Sequence, residues 1–142
     1  MAVIDSARWD TDAIRAGAMV SLVFAVPFSI AARIAGDDDN SGLATGLVLG
    51  AIVGFTVGAG CAAWIQRRGT PLSHGMVTAG GTYLATQAVF IVVKVARSDT
   101  VNWFSVFFNL SFVLVAGVIG GLLGQRLQAS GFEPSSVRRR NE

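Results

Sequence analysis

The sequence predicts an all-α integral membrane protein, with four transmembrane helices in an up-down bundle. Three observations predict this. The 142 residues are 52% hydrophobic and only 14% charged, with a mean hydropathy of +0.57, whereas a soluble domain carries about 25% charged residues. The charges cluster and leave residues 40–66, 69–93 and 100–125 with none, plus a shorter bare run at 16–32 bounded by Arg15 and Arg33. The connectors between these runs are short, so successive helices are antiparallel neighbours with no room for a separate soluble domain.

Roughly 20 apolar residues at about 1.5 Å each cross a ~30 Å hydrocarbon layer. Three runs are long enough outright. The first becomes so once Arg15 and Arg33 extend their charged heads to the two interfaces. The expected spans are 13–35, 43–65, 74–96 and 101–126, flanked by an N-terminal segment at 1–12 and a basic tail at 127–142. As core helices of a soluble protein, these runs would leave almost no polar residues for an exterior. They also lack the alternation of barrel strands.

The first span is read as a retained helix rather than a signal peptide. Residues 1–12 hold three aspartates and one arginine, so no positive segment precedes it. Pro27 removes one helical hydrogen bond there and is expected to bend the span. Lys and Arg set the orientation. Arg8, Arg15, Arg67, Arg68, Arg126, Arg138, Arg139 and Arg140 fall on one side, against Arg33, Lys94 and Arg97 on the other. Both termini and the middle loop are therefore expected in the cytoplasm of a cell-membrane protein. Trp9, Trp64 and Trp103 fall near span boundaries, where an amphipathic indole prefers to sit. The tail, with Gly131 and Pro134, reads as disordered. Its Arg138–Arg140 cluster serves as a topology determinant or touches anionic lipid heads.

The second span carries the strongest local pattern: Gly42, Gly46, Gly50, Gly54 and Gly58 recur every fourth residue. Each lies about 40° around the helix from the one before. They form a slowly turning groove that admits another backbone, within the chain or between copies. The fourth span offers a surface of Ser105, Asn109, Ala116, Gly120 and Gly124, while Phe104, Phe107, Phe108 and Phe112 are expected to face lipid. The chain also shows signs of duplication into two hairpins. Gly58 and Gly117, and the pairs Gln66-Arg67 and Gln125-Arg126, share an offset of 59, and Gly17 and Gly75 are 58 apart. Such a repeat would be parallel.

The third span holds the polar residues. His74, Thr78, Thr82 and Thr86 form one stripe with Tyr83 and Gln87 beside it. A stripe of this kind is either a wet path or a seam of interhelical hydrogen bonds. Arg33, Asp37, Asp38, Asp39, Lys94 and Arg97 form an outer charge cluster. In it Arg33 and Lys94 are expected to snorkel and pair with Asp37, Asp38, Asp39 or Asp99.

The spans contain no Asp or Glu, which argues against a carboxylate proton relay or cation site. One His and one Cys, Cys61, exclude a metal site built from His and Cys clusters within one chain. No acidic residue orients a Ser73–His74 or Cys61–His74 pair for nucleophilic chemistry. No phosphate loop or dinucleotide fingerprint occurs, and the basic tail alone is no nucleic-acid site. The expectation is a non-enzyme with no cofactor or catalytic residue. Its partners are the lipid bilayer and other membrane subunits or further copies of itself. In size and glycine-rich four-helix layout the chain resembles families of small bacterial membrane proteins and, loosely, the small accessory subunit of bacterial ATP synthases. Two functions follow: an accessory or assembly subunit of a larger complex, or a small oligomeric channel or carrier using the third-span stripe.

Overall fold

The computed structural model describes residues 8–132. These form four α-helices: α1 (Thr11–Asp37), α2 (Ser41–Ile65), α3 (Pro71–Ala96) and α4 (Trp103–Ala129). All four are long and apolar enough to cross a membrane. Large apolar side chains lie exposed along every one, Phe104, Phe107, Phe108 and Phe112 among them. In water such a surface would be a liability; in a bilayer it is the lipid-facing exterior. The chain is a multi-pass helical membrane protein.

Caps explain where the helices depart from the expected spans. Asp10 accepts from the Ala13 amide (3.2 Å) and starts α1 at Thr11 instead of 13. Pro71, whose missing N–H costs nothing in a first turn, opens α3 three residues earlier than expected. Asn102 caps Ser105 (3.1 Å), so α4 begins at Trp103 rather than 101. α4 also continues to Ala129, so residues 127–129 are helical rather than part of a disordered tail. Arg138–Arg140 lie outside the described residues. Pro27 sits within a continuous α1.

Around the bundle the order is α1, α2, α4, α3. The α2 and α3 helices also meet across the centre, whereas α1 and α4 scarcely touch. The core is made of small side chains with two rings: Ala25, Ala51, Phe55, Ala59, Ala79, Tyr83, Val113 and Ala116. Phe55 and Tyr83 meet edge to face, with centroids 6.3 Å apart. In lipid no hydrophobic force drives helices together, so close backbone approach and van der Waals contact carry this packing.

The two hairpins share several local features. Each has a glycine crossing between its helices. A Cβ on Gly58 would meet the Gly17 carbonyl at 2.5 Å, and one on Gly75 would meet the Gly117 carbonyl at 2.6 Å. Each turn between helices has one left-handed residue, Asp39 (φ 57°) or Ser98 (φ 59°), 59 positions apart. The hydrogen bonds around those residues are the same at that offset. Asp38, Asp39 and Asn40 donate to Ile34, Gly36 and Ala35, as Arg97, Ser98 and Asp99 donate to Val93, Val95 and Lys94. Where the hairpins join, α2 and α4 run parallel and Gly60 faces Gly120, with a Cβ-to-carbonyl distance of 3.3 Å.

Candidate functional site

The glycines divide by neighbour. Gly50 lies under the Phe28 ring (2.9 Å from a Cβ), Gly54 against Phe24 Cβ (2.9 Å) and the Ala25 backbone, and Gly58 against Ser21 and Gly17. Gly42 and Gly46 meet nothing within 4 Å. The 40° drift turns the ladder out of the α1 contact over its first two members. The ladder is therefore not what faces α4. That contact uses Gly60, with Gly120 against Thr56 and Ala59 and Gly124 against the Gly60 carbonyl (2.5 Å) and Ala63 (2.7 Å). Gly117 instead packs on α3, beside Met76 and Ala79 (3.1 Å each). On α4 the expected face holds for Ala116, Gly120 and Gly124, but Ser105 and Asn109 are exposed. Val106 and Val113 take the buried positions in that half. Each polar side chain instead has a nearby polar atom, with Asn109 Nδ2 3.5 Å from Ser105 Oγ.

The stripe on α3 faces inward over most of its length. His74, Thr78, Thr82 and Tyr83 are buried, and Thr86 and Gln87 are less so. Tyr83 donates its hydroxyl to the Val106 carbonyl of α4 (2.9 Å). Thr86 bonds back to the Thr82 carbonyl (2.9 Å), satisfying itself within its own helix. A methyl of Thr78 fills the space over Gly17 of α1, 3.0 Å from where a Cβ would stand. The hydroxyls of Ser21 and Thr78 are buried without a hydrogen-bond partner among the described residues.

His74 belongs to a polar cluster at the end of the bundle that holds the start of α1 and the end of α4. Its Nε2 accepts from the Asp10 amide (2.9 Å). That leaves the proton on Nδ1, which donates to the Thr70 carbonyl (2.9 Å). Trp9 meets the ring edge-on, with centroids 5.4 Å apart. The Asp10 carboxylate caps α1 and accepts from the Arg67 amide (3.3 Å), tying the entry of α1 to the α2–α3 connection.

Gln66 is the main member that sequence reasoning missed as a site. It is 2% exposed. Its Oε1 accepts from the amides of Arg68 (2.8 Å) and Thr70 (3.4 Å), and its Nε2 lies 3.4 Å from Gln128 Oε1. Gln128 Nε2 donates to the carbonyls of Trp64 (2.8 Å) and Gln66 (2.7 Å). The one available signal was an amide immediately after an apolar run, where the last helical carbonyls need donors.

At the opposite end Lys94 donates to the Thr100 carbonyl (3.3 Å), and the Arg33 guanidinium lies over Phe90, 5.6 Å from the centroid. Among the described residues neither is paired with Asp37, Asp38, Asp39 or Asp99, contrary to the expected clamp. The three aspartates and Arg97 are exposed. Each charge is better solvated by water and headgroups than by an exposed ion pair, which contributes about 0–1 kcal/mol.

No family model, no curated protein and no solved structure matches this chain.

Proposed function

We propose that the chain is a non-catalytic accessory or assembly subunit of a larger membrane complex. The observation that carries this reading is the fate of the α3 stripe. Tyr83 bonds to a neighbouring helix, Thr86 to its own backbone, and the Thr78 methyl fills a contact over glycine. A conducting path needs a continuous line of polar atoms open to a cavity, whereas Gln87 at one end of the stripe lines one and His74, Thr78, Thr82 and Tyr83 are buried. The titratable groups of the buried cluster are spent on capping helices and connections, with no nucleophile–base–orienter arrangement among them. The exposed face of α2 at Gly42 and Gly46, where nothing approaches, suits a helix of a partner subunit or of a second copy.

Both termini lie in the cytoplasm in this proposal, supported by eight Lys and Arg against three. One fusion tests both parts: a fluorescent protein that matures only in the cytoplasm, joined after Glu142. Cells should fluoresce, and mild-detergent purification should bring down one membrane protein in fixed stoichiometry. Dark cells would reverse the orientation, and a homogeneous protein with no partner would remove the accessory-subunit reading.

A further inference from the structure

At the end of the bundle that carries the α1–α2 and α3–α4 turns, a cavity of about 60 Å³ opens between α1, α3 and α4. Its lining comes from Arg33 of α1, from the last turns of α3 and from the start of α4, and Arg33, Asn102 and Ser105 are exposed there. Arg33 and Lys94 both line it, with Gln87, Asn102 and Ser105, and none of the carboxylates at this end does.

The lining has donors to spare. Lys94 uses one of its three on Thr100. The Arg33 guanidinium lies 5.6 Å from the Phe90 centroid, and among the described residues no hydrogen bond occupies its N–H groups. Asn102 spends its carbonyl oxygen capping α4, which leaves its amide NH₂. Ser105 Oγ lies near the Asn109 amide, which leaves its O–H. Among the described residues these two cations have no carboxylate beside them, so an anion from the headgroup layer meets no competing partner. The first turn of α4, which enters the cavity through Asn102 and Ser105, adds the positive end of a helix dipole.

We propose that this cavity binds a phosphate-bearing anion through Arg33 and Lys94. The phosphate comes from a lipid headgroup, entering sideways from the leaflet at this end, or from a free phosphate. Headgroup phosphates lie at the depth of these helix ends, and the planar guanidinium fits two phosphate oxygens at once.

The test uses the full chain, delipidated in a neutral detergent. Native mass spectrometry and thermal melts follow addition of phosphatidylglycerol, phosphatidylcholine or inorganic phosphate at constant ionic strength. Wild type should retain one phosphatidylglycerol per chain and melt higher with it. Arg33→Gln with Lys94→Gln should weaken binding about tenfold or more, since each lost bond to charge is worth roughly that much. Arg33→Lys with Lys94→Arg should retain it. Arg67→Gln with Arg126→Gln removes equal charge at the opposite end and should leave it unchanged. Inorganic phosphate that binds as well and competes with the lipid would identify a free anion as the ligand. Phosphate without effect beside tight phosphatidylglycerol would identify the headgroup. The proposal is overturned when wild type binds neither, or when the two double Gln variants lose binding equally or not at all.

Discussion

Gly58→Ala should destabilise the protein strongly while Gly42→Ala and Gly46→Ala leave it unchanged, although all five glycines look alike in the sequence. A methyl at Gly58 meets backbone: the Gly17 carbonyl at 2.5 Å and the Ser21 amide at 2.9 Å, besides the Ser21 hydroxyl. Backbone yields only when the whole of α1 shifts. The cost expected is that of overpacking, at the upper end of about 1–3 kcal/mol. At Gly54 the methyl meets Phe24 Cβ and Ala25 N, so the effect should be nearly as large. At Gly50 it meets the ring of Phe28, which can turn aside, and the cost should be smaller. At Gly42 and Gly46 there is nothing to meet, and the change should stay within about 0.5 kcal/mol. Gly75→Ala should also be costly, because its methyl faces the Gly117 carbonyl and the Gly121 backbone. Thermal melts in detergent read the series. Equal losses at all five ladder positions would show that the ladder packs along its whole length. Equal tolerance would show that it faces lipid throughout.

Gln66→Leu should cost as much by another route. Leucine fills similar space, but the amides of Arg68 and Thr70 lose their acceptor and Gln128 loses its neighbour. Arg68 is exposed and its amide can turn to water, so the cost falls mainly on the half-buried Thr70 amide and on Gln128, at about 1–3 kcal/mol in all. Gln128→Leu removes the donor shared by the Trp64 and Gln66 carbonyls at the end of α2. Since the two side chains serve one network, the double variant should lose less than the sum of the singles. Faster tryptic cleavage after Arg67 and Arg68 should accompany the loss, as Gln66 holds that connection in place. Full additivity, with cleavage unchanged, would show that the two amides act separately.

The sequence made the four helices legible because bare apolar runs are a direct physical requirement of spanning lipid. Helix ends were less legible, since Asp10, Pro71 and Asn102 act through caps that hydropathy does not register. The glycine crossings were legible at Gly17, Gly58, Gly75 and Gly117. The left-handed residues Asp39 and Ser98 that end α1 and α3 are unlike amino acids in a common helix-ending turn and appear only in the backbone. Spacing alone could not say which glycines of the ladder are covered, because that depends on how far α1 follows the groove. Counting turns from Gly120 and Gly124 places Ser105 and Asn109 on the packed face. The Gln66–Gln128 pair was hidden because its partners are 62 residues apart.

The central claim is that the buried polar groups of α3, from His74 to Tyr83, form a packed internal seam and not a path across the membrane. Flux in proteoliposomes tests it most directly, comparing wild type, Thr82→Val and Gln87→Leu with empty vesicles for small ions and neutral solutes. Interhelical hydrogen bonds in membranes average about 0.6 kcal/mol, so both variants should fold. All three proteins should give the flux of empty vesicles. Flux well above that background in wild type, abolished by either substitution, would contradict the account and establish a channel or carrier.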